Sequence, residues 1–252
     1  MLSFEEELKR LEPVIKGLSN FALLGKKIEI RVEENFIRDG PNIITGNHIG
    51  SFKDVAVLFK IVPRPIFFTA NKMIFNKEEF NFLVRKHLHR HMKKFGLFLN
   101  VLLTPIKSLF VQYVSSNIAK IGTIPVDIYG RKAEAIDQCV EFLKRGRSII
   151  ALQGRGRVDD KDPNPYVKRF RRGASIMAFQ LYEREKISVP VTPLALYGTH
   201  LPFPIPAKIK IHVGRPMYIK DYLKGEATET IERFKDAVEA RVRSLFFESL
   251  KA

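Results

Sequence analysis

The sequence predicts an α/β fold: a single domain with a largely parallel or mixed central sheet flanked by helices, preceded by an N-terminal helical segment. Two observations carry this. Short apolar or alternating runs of strand length recur between segments whose apolar residues repeat at helical spacing, from residue 27 to the C-terminus. Hydrophobic residues make up 45% of the 252-residue chain, enough for a sizeable core, and no internal repeat or linker divides it. The expected division is a helical segment over residues 1–25 and an α/β domain over 26–252.

Taken in order, the N-terminal segment opens with a capping box, Ser3 and Glu6, followed by Leu8, Leu11, Ile15 and Leu18 at helical spacing. Pro13 predicts a break or a kink, a break giving two short helices. Lys27 to Val32 alternates as a half-buried strand, with Ile28, Ile30 and Val32 on one face. Asp39-Gly40 marks a turn. Asn42 to Thr45 and Pro65 to Thr69 read as strands, with a helix over Val55 to Phe59 between them. Ile121 to Val126 is a strand and Arg131 to Arg145 a helix capped by Gly146. A buried strand from Ser148 to Leu152 runs into Gln153-Gly154-Arg155-Gly156-Arg157, and a polar loop follows at Asp159 to Pro165. A helix over Arg171 to Glu183, strands at Val189 to Leu196 and Lys208 to Val213, and a long helix from Glu226 to Leu250 complete the chain.

Composition narrows the function. The net charge of +16 favours a polyanionic partner: nucleic acid, an anionic membrane or a phosphorylated substrate. The single cysteine, Cys139, excludes an intrachain disulfide, and its amphipathic setting beside Ile136, Val140 and Leu143 reads as a small buried hydrophobe. The N-terminus is rich in Glu and Lys and lacks a signal-peptide core, and the longest nearly uncharged run, Phe95 to Ile106, is too short to span a bilayer. The region 75–118 is both basic and apolar, with Lys77, Arg85, Lys86, Arg90, Lys93, Lys94 and Lys107 among phenylalanines. That combination suits an anionic membrane surface. Nucleic acid is the weaker alternative, because no nucleic-acid motif accompanies the charge. His87, His89 and His91 lack a nearby carboxylate or thiolate and sit among cations, so no metal site is expected.

The stretch Asn47-His48-Ile49-Gly50-Ser51-Phe52-Lys53-Asp54 follows a strand and precedes a helix. Strand ends in α/β sheets are where side chains reach substrate. A histidine there is suited to general-base work, and a nearby aspartate to holding its tautomer. The same pair also reads as a helix cap or surface ion pair. Three further strand ends carry polar or basic residues: Lys72, the run Asp127 to Arg131, and Gln153 to Arg157. Gly154 and Gly156 allow close backbone approach to an anion, and Arg155 and Arg157 suit a phosphate; the same run also reads as a solvated basic turn with no ligand.

In this order the blocks resemble the glycerolipid (lysophospholipid) acyltransferase family, from about residue 26 to 216. Asn47-His48 with Asp54 resembles the first block, which holds the catalytic His and Asp. Lys72 resembles a basic residue after the next strand, and Gly122-Thr123-Ile124-Pro125-Val126-Asp127 the second block. Leu152-Gln153-Gly154-Arg155 stands in the place of the third, Pro-Glu-Gly-Thr-Arg. Val189-Pro190-Val191-Thr192-Pro193 resembles the fourth, and Ile211-His212-Val213-Gly214-Arg215-Pro216 the strand after it. The sequence departs from the pattern in three places. Five residues rather than four separate His48 from Asp54, Ile128 stands where the second block has Arg, with Arg131 the nearest substitute, and Gln153 replaces Glu.

The resemblance implies an O-acyltransferase moving a fatty acyl group from acyl-CoA or acyl-carrier protein, as co-substrate, to a hydroxyl of a lysophosphatidate-like glycerolipid in phospholipid synthesis. No cofactor or metal is implied. His48 and Asp54 are the expected catalytic pair. Asn47, Gly50, Ser51, Lys72, Arg131, Gln153, Gly154, Arg155 and Arg157 are the expected substrate-binding residues. The expected setting is cytoplasmic, peripheral on the inner face of the cell membrane, with the anionic membrane surface and a lysophospholipid acceptor as partners. The five-residue spacing and Gln153 support an alternative, a catalytically silent lipid- or polyanion-binding protein on the same scaffold.

Overall fold

The computed structural model describes residues 4–86, 104–127, 133–154, 156–158, 161–202 and 205–251. In chain order the elements are α1 (Phe4–Ala22), β1 (Lys26–Arg31), β2 (Asn42–His48), α2 (Phe52–Ile61), β3 (Ile66–Asn71), α3 (77–86) and α4 (Thr104–Asn117). Then follow β4 (Thr123–Val126), α5 (Ala133–Lys144), β5 (Ser148–Ile150), β6 (Gln153–Gly154), α6 (Gly173–Glu185), β7 (Pro190–Tyr197), β8 (Ala207–Val213), β9 (Met217–Tyr218) and α7 (Ala227–Leu250). The chain forms two compact units, one of Glu12–Phe67 and Ile136–Ala252, the other of Met1–Leu11 and Phe68–Ala135.

The sheet of the larger unit runs β1-β8-β7-β2-β5 and continues to β3. β2 is parallel to β5, β6 and β7, and β1 is parallel to β8. β8 and β9 are antiparallel to β7, so the sheet is mixed, as the sequence predicts. Strands enclosed on both faces need continuous apolar runs. Ile43, Ile44, Ile149, Ile150, Val191 and Leu194 supply them, all buried. β8 alternates instead, burying Ile209, Ile211 and Val213. Helix α7 lays Phe234, Val238, Val242 and Leu245 against β7 and β8 at helical spacing. On α5, Ala135, Cys139, Val140 and Leu143 form the buried stripe, and Gly146 closes the helix with a left-handed backbone. Burial pushes the Cys139 thiol up to about 12.

In the smaller unit the second half of β3 pairs in parallel with β4, Phe68 opposite Thr123 through Asn71 opposite Val126. α3 and α4 also belong to it. His87, His89, His91 and the Ser3 cap lie outside the described residues. Among the described residues no helix is long and apolar enough to cross a membrane.

Two expectations need correction. Pro13 does not divide the N-terminal segment: α1 is one helix with Pro13 inside it. Lys9 and Pro13 are both exposed, so the carbonyl that loses its donor to the proline is on the solvent side of the helix. Val32 does not extend the first strand. It adopts a left-handed backbone (φ 56°) and leads into a short 3-10 helix.

Candidate active site

The site grows from the C-terminal end of β2. Backbone pairing between β2 and β7 runs from Ile43 opposite Val191 to Gly46 opposite Leu194. Beyond it the Asn47 side chain takes over the ladder. Its Oδ1 accepts the Leu196 N–H at 2.7 Å, and its Nδ2 donates to the Leu196 carbonyl at 2.8 Å and the Tyr166 carbonyl at 3.0 Å. Asn47 is fully buried, so these bonds fix the strand end from which His48 projects. The Asn47 amide is thereby engaged with the scaffold.

His48 is half-buried, and its Nδ1 donates to Asp54 Oδ2 at 2.7 Å. Asp54 is fully buried in the first turn of α2. The same Oδ2 accepts the N–H groups of Ile49 at 2.9 Å and Gly50 at 2.7 Å. With Nδ1 bonded to a carboxylate, which only accepts, the neutral ring carries its proton on Nδ1 and leaves the lone pair on Nε2. The extra residue between His48 and Asp54 is absorbed at Ser51, which takes φ 55°, ψ −124°, close to the first central position of a type II′ turn. The Gly50 carbonyl accepts the Lys53 N–H at 3.1 Å and closes that turn. No regular helix connects His48 to Asp54, so the added residue lengthens the loop instead of rotating the aspartate away.

β6 lies beside this strand end, Asn47 opposite Gln153 and His48 opposite Gly154. Gly154 has φ +124° and lies so close to the His48 carbonyl oxygen that a β-carbon would come within 2.8 Å of it. Gln153 is buried: its Oε1 accepts the Arg171 N–H at 3.0 Å and its Nε2 donates to the Ala151 carbonyl at 3.3 Å. It therefore fastens the chain just ahead of α6 to the third block. Arg157 is half-buried in the larger unit, and Lys72 is exposed at the end of β3 in the smaller one. Arg131 and Arg155 lie outside the described residues.

The acyltransferase family model matches residues 27–197, more than half of the chain. The chain belongs to the acyltransferase family. The crystal structure of the 1-acyl-sn-glycerophosphate (LPA) acyltransferase PlsC from Thermotoga maritima is similar in fold, with a TM-score of 0.56 over 97% of this chain and 83% of that one, at 19% identity. No curated protein matches by sequence.

In this acyltransferase a second layer supports the His–Asp turn, and no motif in the sequence pointed to it. Thr199, just after β7, packs under Gly50 so closely that a β-carbon at 50 would lie 2.4 Å from its Cβ. Lys53 is buried at 7% exposure, and its ammonium donates to the Leu201 carbonyl. Lys26 donates to the Pro202 carbonyl at 2.9 Å and to that of Ile205. The two lysines clip the segment after β7 to the His48–Asp54 turn and to the start of β1. His200 packs beside Tyr166 and Tyr197, with ring centroids 5.3 and 5.5 Å away. Burial, then Lys53 and Lys26, hold His200 below its ordinary value against an opposing pull from Asp54. Burial and Lys26 likewise lower Lys53, which Asp54 partly offsets. The only sequence signal was the position of Lys53 beside Asp54.

Proposed function

We propose that this acyltransferase moves a fatty acyl group from acyl-CoA or acyl-carrier protein to a hydroxyl of a lysophosphatidate-like glycerolipid. The observation that carries the reading is the 2.7 Å His48–Asp54 bond, formed across a five-residue gap at the end of a parallel strand. The five-residue gap and Gln153 were the two arguments for a silent scaffold, and the hydrogen-bonded His48–Asp54 pair speaks against the first of them.

In the proposed reaction His48 Nε2 takes the proton of the acceptor hydroxyl as that oxygen bonds to the thioester carbonyl carbon. The resulting imidazolium is held by Asp54 at Nδ1. Collapse of the tetrahedral intermediate breaks the C–S bond, and His48 returns its proton to the departing sulfur, giving ester and thiol. The Gly50 N–H is committed to Asp54, which leaves the Ser51 and Gly154 N–H groups as the proposed oxyanion donors. Asn47 and Gln153 act through the scaffold. Lys72, Arg131, Arg155 and Arg157 are the proposed cations for acceptor and donor phosphates.

The proposed setting is the inner membrane face, with residues 1–25 and the basic region 75–118 against lipid, ahead of and within an acyltransferase domain over 26–252. On α1, Val14, Leu18 and Phe21 are exposed at helical spacing, which supports this. In the smaller unit Phe82, Leu109, Phe110 and Tyr113 are exposed, and the Lys86 ammonium lies 5.9 Å from the Phe82 ring centroid. The decisive experiment is a mass-spectrometric acyl-transfer assay over a panel of lysophospholipids with acyl-CoA and acyl-carrier protein. The expected result is an acylated lysophosphatidate-like product, lost in His48→Ala while the melting transition is kept. Turnover by a folded His48→Ala protein would overturn the mechanism, and liposome binding without turnover on any acceptor would favour the silent scaffold.

A further inference from the structure

Gly156 lies just beyond the third block, in the left-handed region at φ +70°. A β-carbon at this position would meet His48 Nε2 at 3.0 Å, Ser51 Cα at 3.1 Å and His48 Cδ2 at 3.4 Å. None of these atoms is the free end of a flexible side chain. Ser51 Cα is backbone in the turn that absorbs the extra residue. The His48 ring is anchored at its far nitrogen by the 2.7 Å bond to Asp54. A side chain at 156 would therefore push on the dyad itself, at the edge of the ring that bears the free nitrogen. Gly154 differs, because its close neighbour is the His48 backbone oxygen and not the ring.

We propose that Gly156 is a positioning residue: its bare backbone, resting against the Nε2–Cδ2 edge of His48 and against Ser51, sets the orientation in which Nε2 meets the acceptor. The inference rests on the proposed role of His48 as the base. It assigns to Gly156 a part in catalysis that acts through His48, without contact to substrate.

The test pairs Gly156→Ala with Gly40→Ala. Gly40 has φ +76°, and a β-carbon there would have nothing within 4 Å, so its substitution carries a similar backbone strain without the contact. Two readouts apply: the ring nitrogen resonances of His48 by NMR, and kcat against acceptor KM. Gly156→Ala should shift the His48 resonances and lower kcat by about 10- to 100-fold, with acceptor KM little changed, as misplacement of a catalytic group does. Gly40→Ala should leave both as in the wild type. Unchanged resonances and kcat in folded Gly156→Ala would overturn the proposal. If that variant fails to fold, Gly156→Asn carries the same β-carbon on a residue that tolerates positive φ more readily. Failure of both to fold beside a folded Gly40→Ala would also overturn it, because the glycine would then serve the fold alone. The resonances are read without turnover, so they decide this question even if no glycerolipid acceptor is acylated.

Discussion

Replacing Asp54 by Asn separates the charge of the carboxylate from its shape. Asp54 Oδ2 accepts three hydrogen bonds, from His48 Nδ1 and the Ile49 and Gly50 N–H groups, at 2.7–2.9 Å. An asparagine whose oxygen takes the place of Oδ2 keeps all three donors but loses their charge assistance, about 1 kcal/mol per bond. Because the three share one oxygen, the expected loss of stability is about 2–3 kcal/mol, with the amide NH2 placed where the buried Oδ1 has no partner among the described residues. The kinetic cost has a separate origin. The bond to Nδ1 strengthens as the ring becomes cationic, and a charged hydrogen bond contributes about 1.5–3 kcal/mol. At 1.36 kcal/mol per tenfold, kcat should fall by a factor of about 10–150. Asp54→Ala removes the acceptor for two buried N–H groups as well, so it should lose more stability than Asp54→Asn. The assay is release of free thiol from the acyl donor, run beside urea unfolding. An Asp54→Asn enzyme within about twofold of wild-type kcat would refute the argument, because the carboxylate charge would then contribute nothing to the step.

Other consequences follow from the same geometry. Ser51→Gly relieves a positive-φ strain and should raise stability by about 0.5–1 kcal/mol in urea unfolding while keeping acyl transfer. His200 is held below its ordinary value of 6.5, so the unfolded chain binds the proton more readily than the folded one; stability should be intact above pH 6.5, fall as the pH drops below it, and fall less in His200→Gln, as read from unfolding midpoints between pH 7.5 and 5.5. Cys139 is buried, with its thiol pushed up to about 12, so the native protein should resist aromatic disulfide reagents that label it fully in denaturant.

Much of the fold was legible because hydrophobic period and strand length agree along the chain. The strands at 42, 148 and 190 are buried almost from end to end because both faces are covered, and the short apolar runs within them marked them in the sequence. β6 and β9 were not legible: two residues each show no periodicity, and their pairing is set by neighbours distant in sequence. Of the two outcomes expected at Pro13 the break does not occur, because a proline rule says what the backbone loses, while the outcome depends on whether the freed carbonyl is open to solvent. That His48, Asp54 and Gly154 meet at one strand end was legible from their order after strands. Thr199, His200 and the burial of Lys53 were not, because they act across the fold, and neither a threonine nor a lysine announces a buried neighbour about 150 residues away.

The same contrast explains why a departure in spacing leaves His48 and Asp54 together. Motif spacing counts residues, whereas a relay requires a distance. In a helix the two are locked, since each added residue turns the side chain by about 100°. Between His48 and Asp54 the chain is a strand end, a tight turn and only then a helix, and a turn that accepts positive φ changes its length without moving its ends. The cost is local and falls on Ser51, whose backbone sits where glycine is favoured. The neighbours that hold the ends are Asn47 on β7, Thr199 under Gly50, and Lys53 on Leu201. Acyl transfer should therefore tolerate changes in the identity of Ser51 better than changes in those three anchors, since the anchors, and not the residue count, keep Nδ1 at 2.7 Å from Asp54.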